Sequence, residues 1–72
     1  MAPTPGLTMV RRDRREGDAA RDLGDWAGAE RHYRQHLARK PTDAAIWVQL
    51  GHAQKELDHL EDAEASYRKA IE

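Results

Sequence analysis

The sequence predicts an all-α fold of antiparallel helical hairpins, and three observations lead there. The chain repeats itself at a spacing of 34 residues, pairing Gly17 with Gly51, Ala19 with Ala53, Leu23 with Leu57, Ala29 with Ala63, Glu30 with Glu64, Tyr33 with Tyr67 and Arg34 with Arg68. A fixed period of that length is one helix–turn–helix unit of a stacked array. Apolar residues recur at steps of three and four, the spacing of a single helical face. Gly24-Asp25, Pro41 and Asp58-His59 interrupt that pattern, leaving turns short enough that sequence neighbours must run antiparallel.

The elements follow in order. Residues 1–9 read as a disordered leader, because the two prolines and the glycine within residues 2–6 do not nucleate a helix. A first helix-compatible, strongly charged stretch runs to Leu23, where Gly24 breaks it and Asp25 supplies an N-cap. Trp26, Ala29, Tyr33 and Leu37 then form one apolar stripe, Arg39 and Lys40 complement the dipole at its end, and Pro41 stops it. Thr42 or Asp43 caps a third helix whose face is Ile46, Trp47, Leu50, Ala53 and Leu57, with Trp47 expected to anchor the core. After the Asp58-His59 turn, a fourth helix carries Leu60, Ala63, Tyr67, Ala70 and Ile71. The units divide as residues 10–43 and 44–72, the second shorter than the period and therefore truncated.

The run Trp47-Val48-Gln49-Leu50-Gly51-His52-Ala53, followed by Ala63-Glu64-Ala65-Ser66-Tyr67 and Ala70, resembles a tetratricopeptide repeat (TPR). Gly17, Ala29, Tyr33 and Pro41 give the same pattern one period earlier, so the resemblance covers residues from about 10 to 72. It implies a fragment of a right-handed α-solenoid. Small residues at Gly51 and Ala63 would bring the helices of one repeat close, and Tyr67 would fill the gap between repeats. Two departures stand out. Asp13 and Glu16 replace Trp47 and Leu50 of the second copy, so the first helix reads as a solvated cap, and Gln54 replaces an aromatic.

A chain of 72 residues has room for one small domain with little core. Without cysteine it has no disulfide and no thiolate metal site. No stretch has the length or apolarity of a signal peptide or membrane span, which leads to the expectation of a cytoplasmic protein without membrane contact. Charged residues make up 35% of the chain at a net charge of −1, but unevenly. Residues 1–40 hold nine Lys/Arg against six Asp/Glu, and residues 41–72 hold three against seven.

Candidate chemistry is sparse. The run Arg11-Arg12-Asp13-Arg14-Arg15 is interleaved with Asp13, Glu16 and Asp18 and has no aromatics to stack bases, so it reads as a salt-bridged helix and no nucleic-acid partner is expected. His32 and His36 share the spacing of a metal pair, yet no acid lies between them and no third ligand is placed to join, so His36 reads as a packing residue at the repeat boundary. Glu61, Asp62 and Glu64 suit the start of a helix. Ser66 and Thr42 have no histidine–acid constellation, and no phosphate-binding glycine loop exists, so the segment is expected to be non-catalytic and free of cofactors. Trp26, Trp47 and Tyr33 read as core rather than as a ligand pocket.

By the TPR resemblance, the first helix of each repeat lines a concave side. The face it implies comprises Arg14, Arg15, Asp18, Arg21 and Asp22 with Val48, Gln49, His52, Lys55 and Glu56, a polar mix suited to a protein or peptide partner. Family members that grip a terminal carboxylate use Lys, Asn and Arg from three such helices. Asp18 has the wrong sign and a third helix is absent, so that mode is excluded. At the other end Leu60, Tyr67 and Ile71 have no following repeat to cover them, which leads to the expectation of a homodimer formed through this face. The reading is a scaffold for protein–protein interaction, the N-terminal part of a larger protein. A weaker resemblance, to Arg/Ala-rich arrays that precede bacterial catalytic domains such as glycosyltransferases, implies the alternative of an enzyme's accessory segment.

Overall fold

The computed structural model of the chain describes residues 5–72, with side chains from Arg11 onward. Four helices follow one another: α1 Pro5–Asp22, α2 Trp26–Arg39, α3 Ala44–Glu56 and α4 Leu60–Ala70. Among the described residues there is no strand. α1 pairs with α2, α3 pairs with α4, and α2 packs on α3 to join the two hairpins. The slab measures 43 × 29 × 13 Å across its Cα atoms, so each helix keeps a face to solvent.

α1 begins at Pro5, inside the stretch expected as leader. Proline is well suited to a first helical position, where its fixed φ is already helical and its missing N–H has no role. The part of the expected leader in residues 1–4 lies outside the described residues.

The two hairpin turns are copies of each other. Gly24 has φ +74° and Asp58, one period later, has φ +64°. In the first turn Asp25 N–H donates to Ala20 O at 2.8 Å and Gly24 N–H to Arg21 O at 2.9 Å. In the second, His59 N–H donates to Gln54 O at 2.8 Å and Asp58 N–H to Lys55 O at 3.0 Å. This pair of bonds satisfies the last carbonyls of a helix and requires the left-handed residue. Asp25 then caps α2, accepting from Gly28 N–H at 3.0 Å. A side chain on Gly28 would collide with the capping carboxylate.

Ala20, Ala29, Tyr33, Leu37, Ile46, Leu50 and Ala53 form the core. Tyr33 is its largest fully buried side chain. Trp26 and Trp47 pack against its edge and are only partly buried. This corrects the expectation for Trp47. Ile46 takes the direction toward the core, and one residue further round the helix is a turn of about 100°. Trp47 therefore sits at the rim, where its indole N–H donates to Pro41 O at 2.7 Å.

The glycines set the hairpin spacing. A Cβ on Gly17 would lie 2.6 Å from Tyr33 Cε1, and one on Gly51 would lie 2.7 Å from Tyr67 Cε1. Each tyrosine thus fills space against the glycine of its own hairpin, rather than the gap between repeats as expected.

Two polar residues also depart from expectation. Asp13 is buried rather than solvated, because Arg39 at the end of α2 reaches across and donates to Asp13 Oδ2 at 3.2 Å. The guanidinium supplies the charge-assisted hydrogen bond that a buried carboxylate needs. Gln54, which stands in place of an aromatic, is buried on α3 and fully bonded. With its amide nitrogen toward α4, it lies 2.6 Å from Ser66 Oγ and donates to Asp62 O at 3.0 Å, while its oxygen accepts from Arg34 Nη2 at 3.1 Å.

The turn geometry generates a paired prediction. Asp58→Gly should raise stability by about 0.5–1 kcal/mol, because the left-handed conformation strains any residue with a Cβ. Gly24→Ala should lower it by about 1 kcal/mol for the same reason. Urea denaturation checks both, and equal signs for the two variants would contradict the turn assignment.

Candidate functional site

The face implied for α1 and α3 resolves into two neighbouring regions. The first is centred on Arg21, whose Nη1 donates to Gln49 Oε1 at 3.1 Å and so links α1 to α3. Its other nitrogens hold Asp22 at 3.0 Å, and Asp18 lies 3.6 Å away. The hydrogen bond that Arg21 donates to Asp22 raises the Arg21 pKa further, so this cation is permanent. Val48 is exposed beside it, and His52 meets the Trp26 ring edge-on at 5.1 Å. Lys55 and Glu56 stand exposed in the last turn of α3.

The second region is a cavity of about 500 Å³ near the α2–α3 junction, lined by Arg11, Arg14, Arg15 and Lys40. Its two carboxylates, Asp18 and Asp43, are each engaged by a neighbour. Asp18 accepts from the Tyr33 hydroxyl at 2.6 Å. Asp43 Oδ2 lies 2.8 Å from the buried His36 Nε2, and in taking that partner Asp43 gives up the side-chain cap of α3 expected of it.

The mixed charge run of α1 sorts itself by helical geometry. Arg11, Arg14, Arg15 and Asp18 follow the i, i+3, i+4, i+7 spacing of one face and line the cavity together. Asp13 and Glu16 leave that face. Asp13 goes to Arg39, and Glu16 pairs with Arg12 at 3.0 Å, a hydrogen bond that holds its carboxyl below the usual range. The salt-bridged helix expected here is present for Arg12 with Glu16 and for Arg21 with Asp18, but Asp13 turns to α2 and leaves Arg11, Arg14 and Arg15 without a carboxylate partner among the described residues. Sequence reasoning missed Arg11, His36, Lys40 and Asp43, although the spacing of the three arginines carried the signal for the first.

His32 and His36 go separate ways. His32 Nδ1 is 3.3 Å from Glu16 Oε2 and 4.0 Å from Asp13 Oδ1, and it is buried without a well-aligned hydrogen bond. No group of three metal-ligating side chains occurs among the described residues. No helix among them is long and apolar enough to cross a membrane.

The face expected for self-association lies on α4. Leu60, Tyr67 and Ile71 are 60%, 37% and 85% exposed, whereas Tyr33 and Leu37, the counterparts of the last two on α2, are 0% and 4% exposed beneath α3, and Trp26, the counterpart of Leu60, is partly buried. α3 covers this side of α2, and among the described residues no helix follows α4.

Repeated hairpins with copied turns, copied glycine–tyrosine contacts and one bare end define a helical-repeat protein of the α-solenoid class. A family model described as tetratricopeptide repeat matches residues 20–72, and the chain belongs to that family. No curated protein and no solved structure matches the chain. Tetratricopeptide repeats are in general protein-interaction scaffolds and not catalysts.

Burial, followed by the hydrogen bond to Asp18, holds the Tyr33 hydroxyl well above the usual phenol range. A raised folded value means that its stabilisation is complete below the unfolded pKa of about 10 and is lost as pH rises toward the folded one. Melting temperature should therefore fall more steeply between about pH 10 and pH 12 in the natural chain than in Tyr33→Phe. Tyr67 is common to both and cancels. Identical slopes would show that Tyr33 is not held as described.

Proposed function

We propose that this segment is a non-catalytic protein-interaction module whose α1/α3 face receives a peptide or helix from another protein. The Arg21–Gln49 bond carries this reading, since it joins the first helices of both hairpins into one polar wall of mixed sign. Exposed Val48 and His52 beside it offer apolar and hydrogen-bonding contacts on the same wall. Photo-crosslinking from a benzoylphenylalanine placed at His52 in cells tests it. A protein adduct should form from that position and not from the exposed Glu64 on α4. Equal capture from both, or none from His52, would defeat the reading.

We further propose that the chain self-associates as a closed dimer through Leu60, Tyr67 and Ile71. The contrast between Leu37 at 4% and Ile71 at 85% exposure supports this, because equivalent positions are covered in one hairpin and bare in the other. Two such faces meeting about a two-fold axis cover each other and leave no end to grow. Sedimentation at about 100 μM should give twice the chain mass, and Ile71→Glu should return it to the monomer with helicity intact. A natural chain that is monomeric and fully helical at that concentration would rule the dimer out.

A further inference from the structure

We infer that the cavity between α1 and the α2–α3 junction is a docking site for an acidic peptide segment, with Arg14, Arg15, Arg11 and Lys40 as its anion-binding wall. The inference rests on the protein-interaction reading and specifies the chemistry of the partner. None of these four cations has a carboxylate partner among the described residues, whereas Arg12, Arg21 and Arg68 are all paired. The carboxylates within the cavity are already committed, Asp18 to Tyr33 and Arg21, and Asp43 to His36. Four cations thus face a space of about 500 Å³ with their charge uncompensated. A volume of this order accommodates a few side chains.

Charge placement favours a peptide over a nucleic acid. Phosphates follow one another along a strand at fixed spacing, and Asp18 and Asp43 on the wall would repel some of them. Asp and Glu side chains are flexible enough to be directed to the arginines, where guanidinium and carboxylate pair in two-pronged fashion, and away from the two acids. The Tyr33 ring is buried, so it provides no surface for base stacking.

Fluorescence anisotropy with a labelled hexaglutamate peptide tests the inference on the 72-residue chain. Hexaglutamine, and a single-stranded oligonucleotide of matching charge, serve as the comparison probes. Hexaglutamate should bind more tightly than either, and less tightly as salt increases. Replacing Arg14 and Arg15 together by Gln should weaken it about tenfold, with Arg68→Gln on α4 changing it less than about twofold. Lys40→Gln, outside the helices, gives a second variant that should also weaken binding if the double variant loses helicity. Absent or salt-independent hexaglutamate binding, or equal affinity for hexaglutamine, would overturn the inference. So would tighter oligonucleotide binding, or insensitivity to both sets of substitutions. Loss of this binding alongside intact crosslinking from His52 would remove the acidic-peptide site and leave the interaction module standing.

Discussion

A tyrosine ring lies where a β-carbon would otherwise be, once in each hairpin, and the spacing of the whole molecule depends on it. Tyr33 over Gly17 and Tyr67 over Gly51 match to within a tenth of an ångström. Glycine is an unfavourable helix residue, by about 1 kcal/mol against alanine, so its presence in the middle of α1 and α3 needs a compensating contact. The tyrosine ring supplies that contact. With Tyr33 seated, its hydroxyl reaches Asp18 on α1, and α2 is held at a distance from which Leu37 meets Ile46 and Leu50 of α3. Small residues at Ala29 and Ala63 serve the same approach from the second helix of each hairpin.

The remaining stabilisation is unusually polar for so small a core. Asp13 with Arg39, His36 with Asp43, and Gln54 with Ser66 and Arg34 are all contacts that remove a polar group from water and give it a partner. Each contributes little net free energy, but loss of one partner strands the other in a buried place. Such pairs favour one helix register over its alternatives. One of them, Asp13 with Arg39, also turns an acid of α1 toward α2, away from the arginines that line the cavity. Fold and candidate binding surface are linked through that separation.

The sequence was legible where backbone geometry and apolar spacing decide the outcome. The period, Asp25 as a cap, Pro41 as a stop and Tyr33 as core could be read because each follows from local chemistry that leaves a mark on residue type. Asp13 and Gln54 could not, since a buried polar residue with a distant partner has the same identity as an exposed one. Arg39 lies 26 positions from Asp13, and nothing local announces their meeting. Trp47 misled for the opposite reason. Large aromatics are usually central, but its neighbour Ile46 holds the inward direction, and the indole N–H has a carbonyl to satisfy at the rim. Of the residues expected to share a face of α1 and α3, Arg21 and Gln49 are joined by a hydrogen bond. The cavity became visible only once the helix had sorted its charges.

Glycine is required at position 17 because Tyr33 occupies the space beside it. A double-mutant cycle between Gly17→Ala and Tyr33→Leu, followed by urea denaturation, tests this most directly. In the natural background Gly17→Ala should destabilise by about 1–2 kcal/mol, overpacking outweighing the gain in helix propensity. In the Tyr33→Leu background the ring is gone, and the same substitution should be neutral or stabilising by up to about 1 kcal/mol. An identical effect of Gly17→Ala in both backgrounds would mean that the ring does not dictate the glycine, and the account of the hairpin would fail.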